Sequence, residues 1–261
     1  MLVEVVTDNV QAEFALRYPL ERVPDEWEIP EVPVPESVSH ASLVTYLEAL
    51  LAAWAAARGH EVAIARNLAV RWVQARPRVG IDPDVAVIDP KPPAFESLRS
   101  LKLWEPGARA PVLAIEVVSP NHPYKDYALL PERYASMGVG ELWVLDPGGF
   151  GPRRLGGPHF VQQFVRDDDD GALVRRYAGS GPVYSRVVGG WVHRAPGTGV
   201  MLTDDTAGEQ RWLTPHETEA AARAQEAAAR ARAEHARDET ARRAERLAAR
   251  LRELGIDPDD A

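Results

Sequence analysis

The chain has 261 residues, of which 45% are hydrophobic and 26% are charged, so it is long enough for one sizeable core with an appendage. Its formal net charge of −9 argues against a broad, non-specific nucleic-acid surface, because such a surface binds phosphate through Lys and Arg that displace counterions from the nucleic acid. A narrow basic groove stays compatible with this charge. Cysteine is absent, which excludes disulfides and thiolate metal sites and leaves oxygen or His as metal ligands.

The N-terminal segment is rich in proline. Residues 1–35 hold five prolines and show little periodicity, which predicts an extended arm over residues 1–34, with a short helix between Val10 and Tyr18. Three acidic residues stand in the first 13 positions, where a signal peptide would be basic, and no apolar run approaches about 18 residues. We therefore expect a soluble cytoplasmic protein without a membrane segment.

Helical periodicity is strong in residues 35–60. The large apolar residues recur at spacings of three and four: Leu43, Tyr46, Leu47, Leu50, Leu51 and Trp54. This spacing predicts an amphipathic helix of about 15 to 18 residues, with Ser39 or Ser42 as its cap and Gly59 at its end. Residues 61–73 then alternate well enough to predict one or two strands.

Two short, nearly continuous apolar runs bounded by Pro predict buried strands, one over residues 84–88 and one over residues 112–118. A helix over residues 125–136, interrupted at Pro131, and a third buried strand over residues 141–146 follow. The order of strand, helix and strand predicts two parallel neighbours joined by a right-handed crossover.

Two other regions are rich in loops. Residues 91–111 are rich in Pro and charge and read as a loop with one turn of helix at most. Residues 150–213 contain many Gly and short β-rich pieces, which predict hairpins that extend the sheet, and the four Asp at 167–170 are typical of a hairpin tip.

The composition changes abruptly after the hairpin region. In residues 216–254, 14 of 39 residues are Ala, most others are Glu, Arg or polar, and Pro and Gly are absent, which predicts one long helix. We therefore divide the chain into the arm, a domain over 35–214 and a helical unit over 215–261. Sustained apolar a and d positions are missing over residues 220–240, so a strong coiled coil is not specified. Two alternatives stay open: weak Ala-packed self-association, which would give a homodimer, and a solvated extension.

Each of the first two buried strands carries a carboxylate. Asp84 opens the first strand and Glu116 lies inside the second, where an ionised side chain costs on the order of several kcal/mol unless it is paired or binds a metal. Such carboxylates can converge on one Mg²⁺ or Mn²⁺, which prefer oxygen ligands and turn bound water into a nucleophile that attacks phosphate. Hydrolysis also needs a cation, and the candidates are Lys125 and, less well, Arg133.

Five sequence elements follow one another along residues 83–147. They are Pro83-Asp84, Glu116-Val117-Val118-Ser119-Pro120, the helix Asp126 to Tyr134, Gly138 to Trp143, and Asp146-Pro147. In this order and spacing they resemble the Uma-two family of endonucleases within the PD-(D/E)XK superfamily. Weaker matches extend the resemblance to most of the chain: Pro35-Glu36-Ser37 with His40, Leu103 to Gly107, and the C-terminal Ala/Arg/Glu segment that closes in Leu254 to Pro258.

The resemblance implies a fold and an activity. The fold is α/β, with a restriction-endonuclease-like three-layer core and a mixed central sheet, followed by the long C-terminal helix. The activity is hydrolysis of DNA that depends on Mg²⁺ or Mn²⁺. Carried over by position, Asp84 and Glu116 would bind the metal, and Glu36 in the first helix would hold a second metal or a water.

One departure from the family concerns its lysine. The superfamily places it two residues after the strand carboxylate, at Val118 here, and the Uma-two pattern places it in the next helix, four residues before Tyr134. That position is Leu130. Lys125, about one helical turn earlier, is the lysine that remains in reach and is the candidate for the role.

Simpler interpretations exist for the same residues. Asp84 could make local hydrogen bonds at the start of its strand, and Glu116 could form a buried ion pair with Arg109 or Lys125. Glu36 could complement a helix dipole, and a His at a helix start such as His40 is more often a surface residue than a ligand.

Two functions therefore compete. One is a metal-dependent endonuclease that uses Asp84, Glu116, Lys125 and Glu36 on DNA. The other is a catalytically inactive nuclease fold that serves as a binding or assembly module through its C-terminal helix. Leu130 favours the second function, and the acidic charge balance favours it mildly.

Overall fold

The structure is a computed structural model that describes residues 16–21, 27–28, 37–197 and 199–254. The chain divides into two compact units, Met1–Trp212 and Leu213–Ala261. Glu36 and most of the predicted N-terminal arm lie outside the described residues.

In the part of it that the structure describes, the first unit contains two α-helices and thirteen strands. In chain order they are β1 (Arg17–Tyr18), α1 (Val38–Arg58), β2 (Ala63–Arg66), β3 (Ala69–Arg71), β4 (Gly80–Ile81), β5 (Val85–Ile88), β6 (Ser100–Lys102), β7 (Leu113–Val117), α2 (Leu130–Met137), β8 (Glu141–Leu145), β9 (Val161–Arg166), β10 (Leu173–Gly179), β11 (Val183–Ser185), β12 (Gly190–Ala195) and β13 (Gly199–Thr203). A π-helical turn, Lys125–Leu129, precedes α2 directly.

A seven-stranded sheet with the strand order β1-β10-β9-β8-β7-β5-β2 forms the centre of this unit. Strands β7 and β8 are parallel, with Leu113 opposite Glu141, and the other described pairs of this sheet are antiparallel. The predicted parallel neighbours are therefore confirmed, as is the α/β class with a mixed sheet. Strands β9 and β10 extend this sheet as predicted, whereas β11, β12 and β13 form a separate sheet of their own.

The central sheet is buried on both faces. On one face, which we call the α1-side core, α1 packs with the strand residues Val85, Val87, Leu113 and Ile115. On the other face, the α2-side core, α2 packs with Ala86, Ile88, Ala114 and Val118. Since successive strand residues point to opposite faces, two-sided burial requires the continuous apolar runs seen in the sequence. Each fully buried large side chain contributes about 1.5–3 kcal/mol.

Helix α1 begins earlier and is longer than predicted. Ser37, rather than Ser39 or Ser42, is its cap, because the Ser37 hydroxyl accepts the N–H of His40 at 3.2 Å. Gly59 ends the helix in the left-handed conformation, with φ of 67°. By length and composition alone, its 21 residues could cross a membrane, which the sequence analysis did not expect. Its leucines at positions 43, 47, 50 and 51 are buried in the α1-side core.

Two short strands correct the sequence analysis. Arg17–Tyr18, predicted to end a helix, instead pairs with β10 at the edge of the central sheet, where the Tyr18 ring lies 6.1 Å from that of Phe164. The predicted loop 91–111 contains β6 as well as a helical turn at Phe95–Ser97. Strand β6 joins β3 and β4 in a small third sheet, with the order β4-β3-β6.

The second unit contains the predicted long helix, α3, Pro215–Glu253. Thr214 and Glu217 form a capping box at its start, each accepting a backbone N–H of the other. Two i,i+4 ion pairs lie along this helix, Glu219 with Arg223 and Glu226 with Arg230, both at 2.6 Å. Gly255 and Pro258, which the sequence predicts to end this helix, lie outside the described residues.

Candidate active site

Asp84 and Glu116 come together at one end of β5 and β7. These strands are antiparallel, with Val85 opposite Ile115, so the next position in the same register sets Asp84 opposite Glu116. Directly opposite side chains project to the same face, with Cβ atoms about 4.5–5.5 Å apart. Both residues are buried, at 8% and 7% exposure, so two carboxyl groups share a site with little water.

Asp84 is bound from two other elements. Its Oδ2 accepts the backbone N–H of Val117 at 2.7 Å and lies 3.1 Å from His40 Nε2. The same Nε2 lies 3.1 Å from the Val117 carbonyl oxygen, which can only accept, so Nε2 carries the proton and donates. These partners are 33 and 44 residues away in sequence, which contradicts a purely local role for Asp84. The His40 side chain is only 11% exposed and contacts Asp84, so its interpretation as a surface residue is wrong.

Glu116 is bound by α2. The Tyr134 hydroxyl donates to Glu116 Oε1. Burial and the nearby Asp84 raise the pKa of Glu116 well above its usual range, while the Tyr134 hydrogen bond and Lys125 act in the opposite direction. The hydrogen-bond partner of Glu116 is thus a tyrosine, and neither Arg109 nor Lys125 forms the buried ion pair considered above.

One oxygen of each carboxyl group remains for a ligand. Within the described part of the chain, Asp84 Oδ1 and Glu116 Oε2 accept no hydrogen bond. No group of three or more His, Asp or Glu side chains among the described residues could hold a metal by itself. Two carboxylates nevertheless fit Mg²⁺, because this ion commonly takes one or two protein carboxylates and completes its shell with waters and substrate phosphates.

A cavity of about 90 Å³ opens beside Glu116. It is lined by Gly80, Ile81, Asp82, Glu116, Lys125, Leu130 and Arg133. Asp82 lines the cavity, whereas Asp84 does not. The sequence analysis did not identify Asp82. Loss of water around its carboxyl group raises the pKa of Asp82, although the residue as a whole is exposed, and the attraction of Arg71 and Lys125 partly offsets this. The Asp-Pro-Asp spacing was the signal available, since residues two apart in extended chain point to the same side.

The π-helical turn positions Lys125 against this cavity. Pro131 has no N–H for the Tyr127 carbonyl, so the α-helical hydrogen bond between these two residues cannot form. The Leu130 N–H, one residue earlier, does not donate to the residue four positions before it, as it would in an α-helix. It donates to the Lys125 carbonyl, five positions before it, and the turn is therefore wider. The predicted helix break at Pro131 is therefore a π turn followed by α2. Lys125 and Leu130 both line the cavity as a result.

Lys125 is the cation that the surrounding carboxyl groups share. Its charge lowers the pKa of Glu116, of Asp126 and of Asp82, although other causes outweigh it at each of them. Leu130, at the family's lysine position, is 1% exposed and belongs to the α2-side core. Leu130 therefore packs in the core, and the positive charge is that of Lys125, one π turn earlier in the chain.

Two acidic residues hold this segment in place, Asp126 and Asp146, to which the sequence analysis gave no role of their own. Asp126 Oδ2 accepts the Ser119 N–H at 2.9 Å, and burial raises the pKa of Asp126 to about 6. The Tyr127 hydroxyl donates to Asp146 Oδ2 at 3.0 Å and accepts the His159 N–H at 2.9 Å. These contacts tie the π turn to the chain that follows β7 and β8.

The geometry is accompanied by similarity to known proteins. The Uma2 (Uma-two) family model, described as "Putative restriction endonuclease", matches residues 16–150. This range is more than half of the chain and includes Asp84, Glu116 and Lys125. The chain belongs to the Uma2 family. The resemblance drawn from the five sequence elements is thereby confirmed.

The chain also shows a distant similarity to a solved structure. The chain is similar to the crystal structure of a "putative nuclease belonging to DUF820" from Anabaena variabilis ATCC 29413, with 14% identity, a TM-score of 0.37, and coverage of 60% of this chain and 76% of that chain. No curated protein matches the chain. Uma2 membership therefore gives the class, a restriction-endonuclease-like nuclease, and the site residues carry the more specific argument.

Proposed function

We propose that this Uma2 protein is an endonuclease that hydrolyses DNA phosphodiester bonds with the help of Mg²⁺ or Mn²⁺. The observation that carries the proposal is the pairing of two buried carboxyl groups, Asp84 and Glu116, at opposite positions of adjacent strands, with Lys125 close enough to lower the pKa of Glu116. Burying an acid costs stability unless it is hydrogen-bonded, paired or bound to a metal, so two buried acids side by side indicate a functional site.

Asp84 and Glu116 are the proposed metal ligands, through Asp84 Oδ1 and Glu116 Oε2. Burial and then repulsion from Asp84 raise the pKa of Glu116, and a divalent cation there would offset both. The bound ion supplies Lewis acidity toward the phosphate and a lower pKa for an attacking water. His40 and the Val117 N–H hold Asp84, and Tyr134 holds Glu116, so both carboxyl groups are fixed before a ligand arrives.

Lys125 is the proposed stabiliser of negative charge on the phosphate. It takes over from the family position at Leu130, because the π turn brings both side chains to the same cavity. Glu36 is proposed to contribute a water or a second metal, by family position alone, since it lies outside the described residues.

A plasmid assay tests the proposal. Supercoiled DNA is incubated with the full-length protein and Mg²⁺, Mn²⁺ or EDTA. We expect nicking by the wild type with either metal, and none with EDTA or with the Asp84→Ala or Glu116→Ala variant. The matched control is Glu141→Gln, which alters a buried carboxyl group that is bonded to Gln163 and Ser185. Equal residual nicking by the wild type and both site variants would contradict the proposal that this protein is an endonuclease with Asp84 and Glu116 in its active site.

One observation favours a second function. Leu130 is a fully packed core residue where the family has its lysine, as expected of an inactive nuclease fold kept as a binding or assembly module. Under this alternative the protein would bind DNA or a partner, including a second copy through α3, without nicking. The plasmid assay separates the two functions, because the module predicts no metal-dependent nicking under any condition.

A further inference from the structure

The small sheet next to the cavity carries two cations side by side. Arg71 of β3 and Lys102 of β6 are directly paired in the parallel register, and Arg71 is also paired with Gly80 of β4. The preceding residues on the two strands, Val70 and Leu101, are buried in the α2-side core. Since strand side chains alternate, Arg71 and Lys102 project together from the opposite, outer face.

This pair lies at the rim of the candidate active site. Gly80 lines the cavity together with Asp82 and Glu116. The attraction of Arg71 to Asp82, which lowers the pKa of Asp82, agrees with this proximity. Lys102 is therefore next to Arg71, Arg71 is next to Gly80, and Gly80 lines the cavity that contains the Asp82 and Glu116 carboxyl groups.

The existing contacts of Arg71 and Lys102 leave both side chains able to bind an anion. Lys102 Nζ lies 3.1 Å from Glu105 Oε1, and both side chains are more than 40% exposed, so this ion pair exchanges readily. Arg71 donates to the Pro77 carbonyl at 2.6 Å, which orients the guanidinium group and uses one of its five N–H donors. Like charges at directly opposite positions destabilise a sheet, and an anion bound between them removes that repulsion.

We propose that Arg71 and Lys102 form a phosphate-binding strip that holds the backbone of duplex DNA beside the bond to be cut. This inference rests on the proposed function, because the strip serves the site that contains Glu116 and Lys125. It also accounts for DNA binding by a chain of net charge −9, since a narrow basic strip at the rim is sufficient where a broad basic surface is absent. The contacts are with phosphate, so binding by the strip is independent of base sequence.

The test is a salt titration of DNA binding. A fluorescently labelled duplex is titrated with the full-length protein in Ca²⁺ at several salt concentrations, and anisotropy gives the affinity. Each lost phosphate contact makes the plot of log affinity against log salt less steep by about 0.9. We therefore expect a slope shallower by about 2 for Arg71→Ala with Lys102→Ala, with several-fold weaker binding at low salt. Arg71→Lys and Lys102→Arg should keep the slope, because they keep the charge.

Matched controls are available on other parts of the same unit. Arg176 pairs with Asp167 at 2.9 Å, and Lys91 pairs with Glu96 at 2.8 Å, so Arg176→Ala and Lys91→Ala each remove a cation that has an acidic neighbour. These variants should keep the wild-type slope. Circular dichroism confirms that all variants are folded.

The outcomes separate this inference from the proposed function. A double variant with the wild-type slope and affinity, equal losses in the control variants, or no DNA binding by the wild type would each overturn the strip. DNA binding that depends on Arg71 and Lys102, without any nicking in Mg²⁺ or Mn²⁺, would support the phosphate-binding strip and contradict the proposed endonuclease function. Nicking by a double variant whose salt slope is unchanged would support the endonuclease function and contradict the strip.

Discussion

Lys125 and Leu130 are joined by one hydrogen bond across a π-helical turn, from the Leu130 N–H to the Lys125 carbonyl, and both side chains reach the cavity beside Glu116. A lysine at either position is therefore close to the same carboxyl group. In this chain the charge is at the first position, and the second has become part of the hydrophobic core.

Moving the lysine tests its role. Lys125→Ala should lower the rate of plasmid nicking by about 100-fold or more, because it removes the cation that stabilises the phosphate charge. Adding Leu130→Lys to this variant should restore part of the rate, since position 130 lines the same cavity.

The control for this move is Leu130→Met in the Lys125→Ala background, which changes the core without adding charge. It should restore nothing. Full activity of Lys125→Ala alone, or equal rescue by Met and Lys, would show that the ammonium group has no role in the reaction.

Tyr127 should act as a positioning residue for the π turn. Tyr127→Phe removes the hydroxyl that donates to Asp146 and accepts the His159 N–H, which leaves buried polar groups unpaired. We expect a loss of about 1–3 kcal/mol in the free energy of unfolding in urea. We also expect a lower nicking rate at unchanged DNA affinity, because Lys125 loses its fixed position.

Tyr177→Phe is the matched control, because the Tyr177 hydroxyl accepts the Gly181 N–H and has no hydrogen bond to the π turn. It should lower stability without a selective loss of nicking. If both variants lose nicking rate in proportion to stability, Tyr127 has only a structural role.

Asp126 should make stability depend on pH. Its pKa is raised to about 6 by burial, so the folded state holds the proton more tightly than the unfolded state does. The stability due to this proton is fully present below the unfolded pKa and is lost as pH rises toward 6. Asp126→Asn removes this loss, so in EDTA the variant should gain about 2–3 kcal/mol over the wild type between pH 4 and pH 7.

Asp170→Asn provides a control of opposite sign. The Ala172 N–H and Arg17 lower the pKa of Asp170, so this exposed group stabilises the fold above its unfolded pKa. The Asn variant should therefore be less stable than the wild type at neutral pH and similar to it in acid. A difference between Asp126→Asn and the wild type that does not change with pH would contradict the role of burial.

His40 should govern metal affinity through Asp84. Replacing a group that orients a metal ligand typically costs about 10- to 100-fold in metal affinity or activity. His40→Ala removes the donor at 3.1 Å from Asp84 Oδ2, so the Mn²⁺ concentration for half-maximal nicking should rise by that order. His193→Ala, which alters a contact with Thr203, should leave this Mn²⁺ concentration unchanged. The same Mn²⁺ requirement in His40→Ala as in the wild type would show that His40 does not orient a metal ligand.

Much of the fold follows from local sequence patterns. Apolar runs bounded by Pro predict β5 and β7, and helical spacing predicts α1, because each pattern reflects burial on one or both faces. The short strands β1 and β6 were missed, since each has two or three residues and gains its stability from pairing with a distant strand.

The candidate site was predictable only in part. Asp84 and Glu116 stand out in the sequence because a carboxyl group in an apolar strand is costly. His40 and Tyr127 carry no such signal, since their partners Asp84 and Asp146 become neighbours only through the tertiary fold. Pro131 signalled an irregular helix, but not that the irregularity would be a π turn that brings Lys125 to the cavity.

The most direct test of the central claim is the binding of Mn²⁺ to the full-length protein, measured by titration calorimetry without DNA. We predict that the wild type and Glu141→Gln bind Mn²⁺ with the same affinity, and that Asp84→Asn and Glu116→Gln, which keep the shape of each side chain, lose that binding. Equal Mn²⁺ binding by all four proteins, or none by the wild type, would contradict a metal site formed by Asp84 and Glu116.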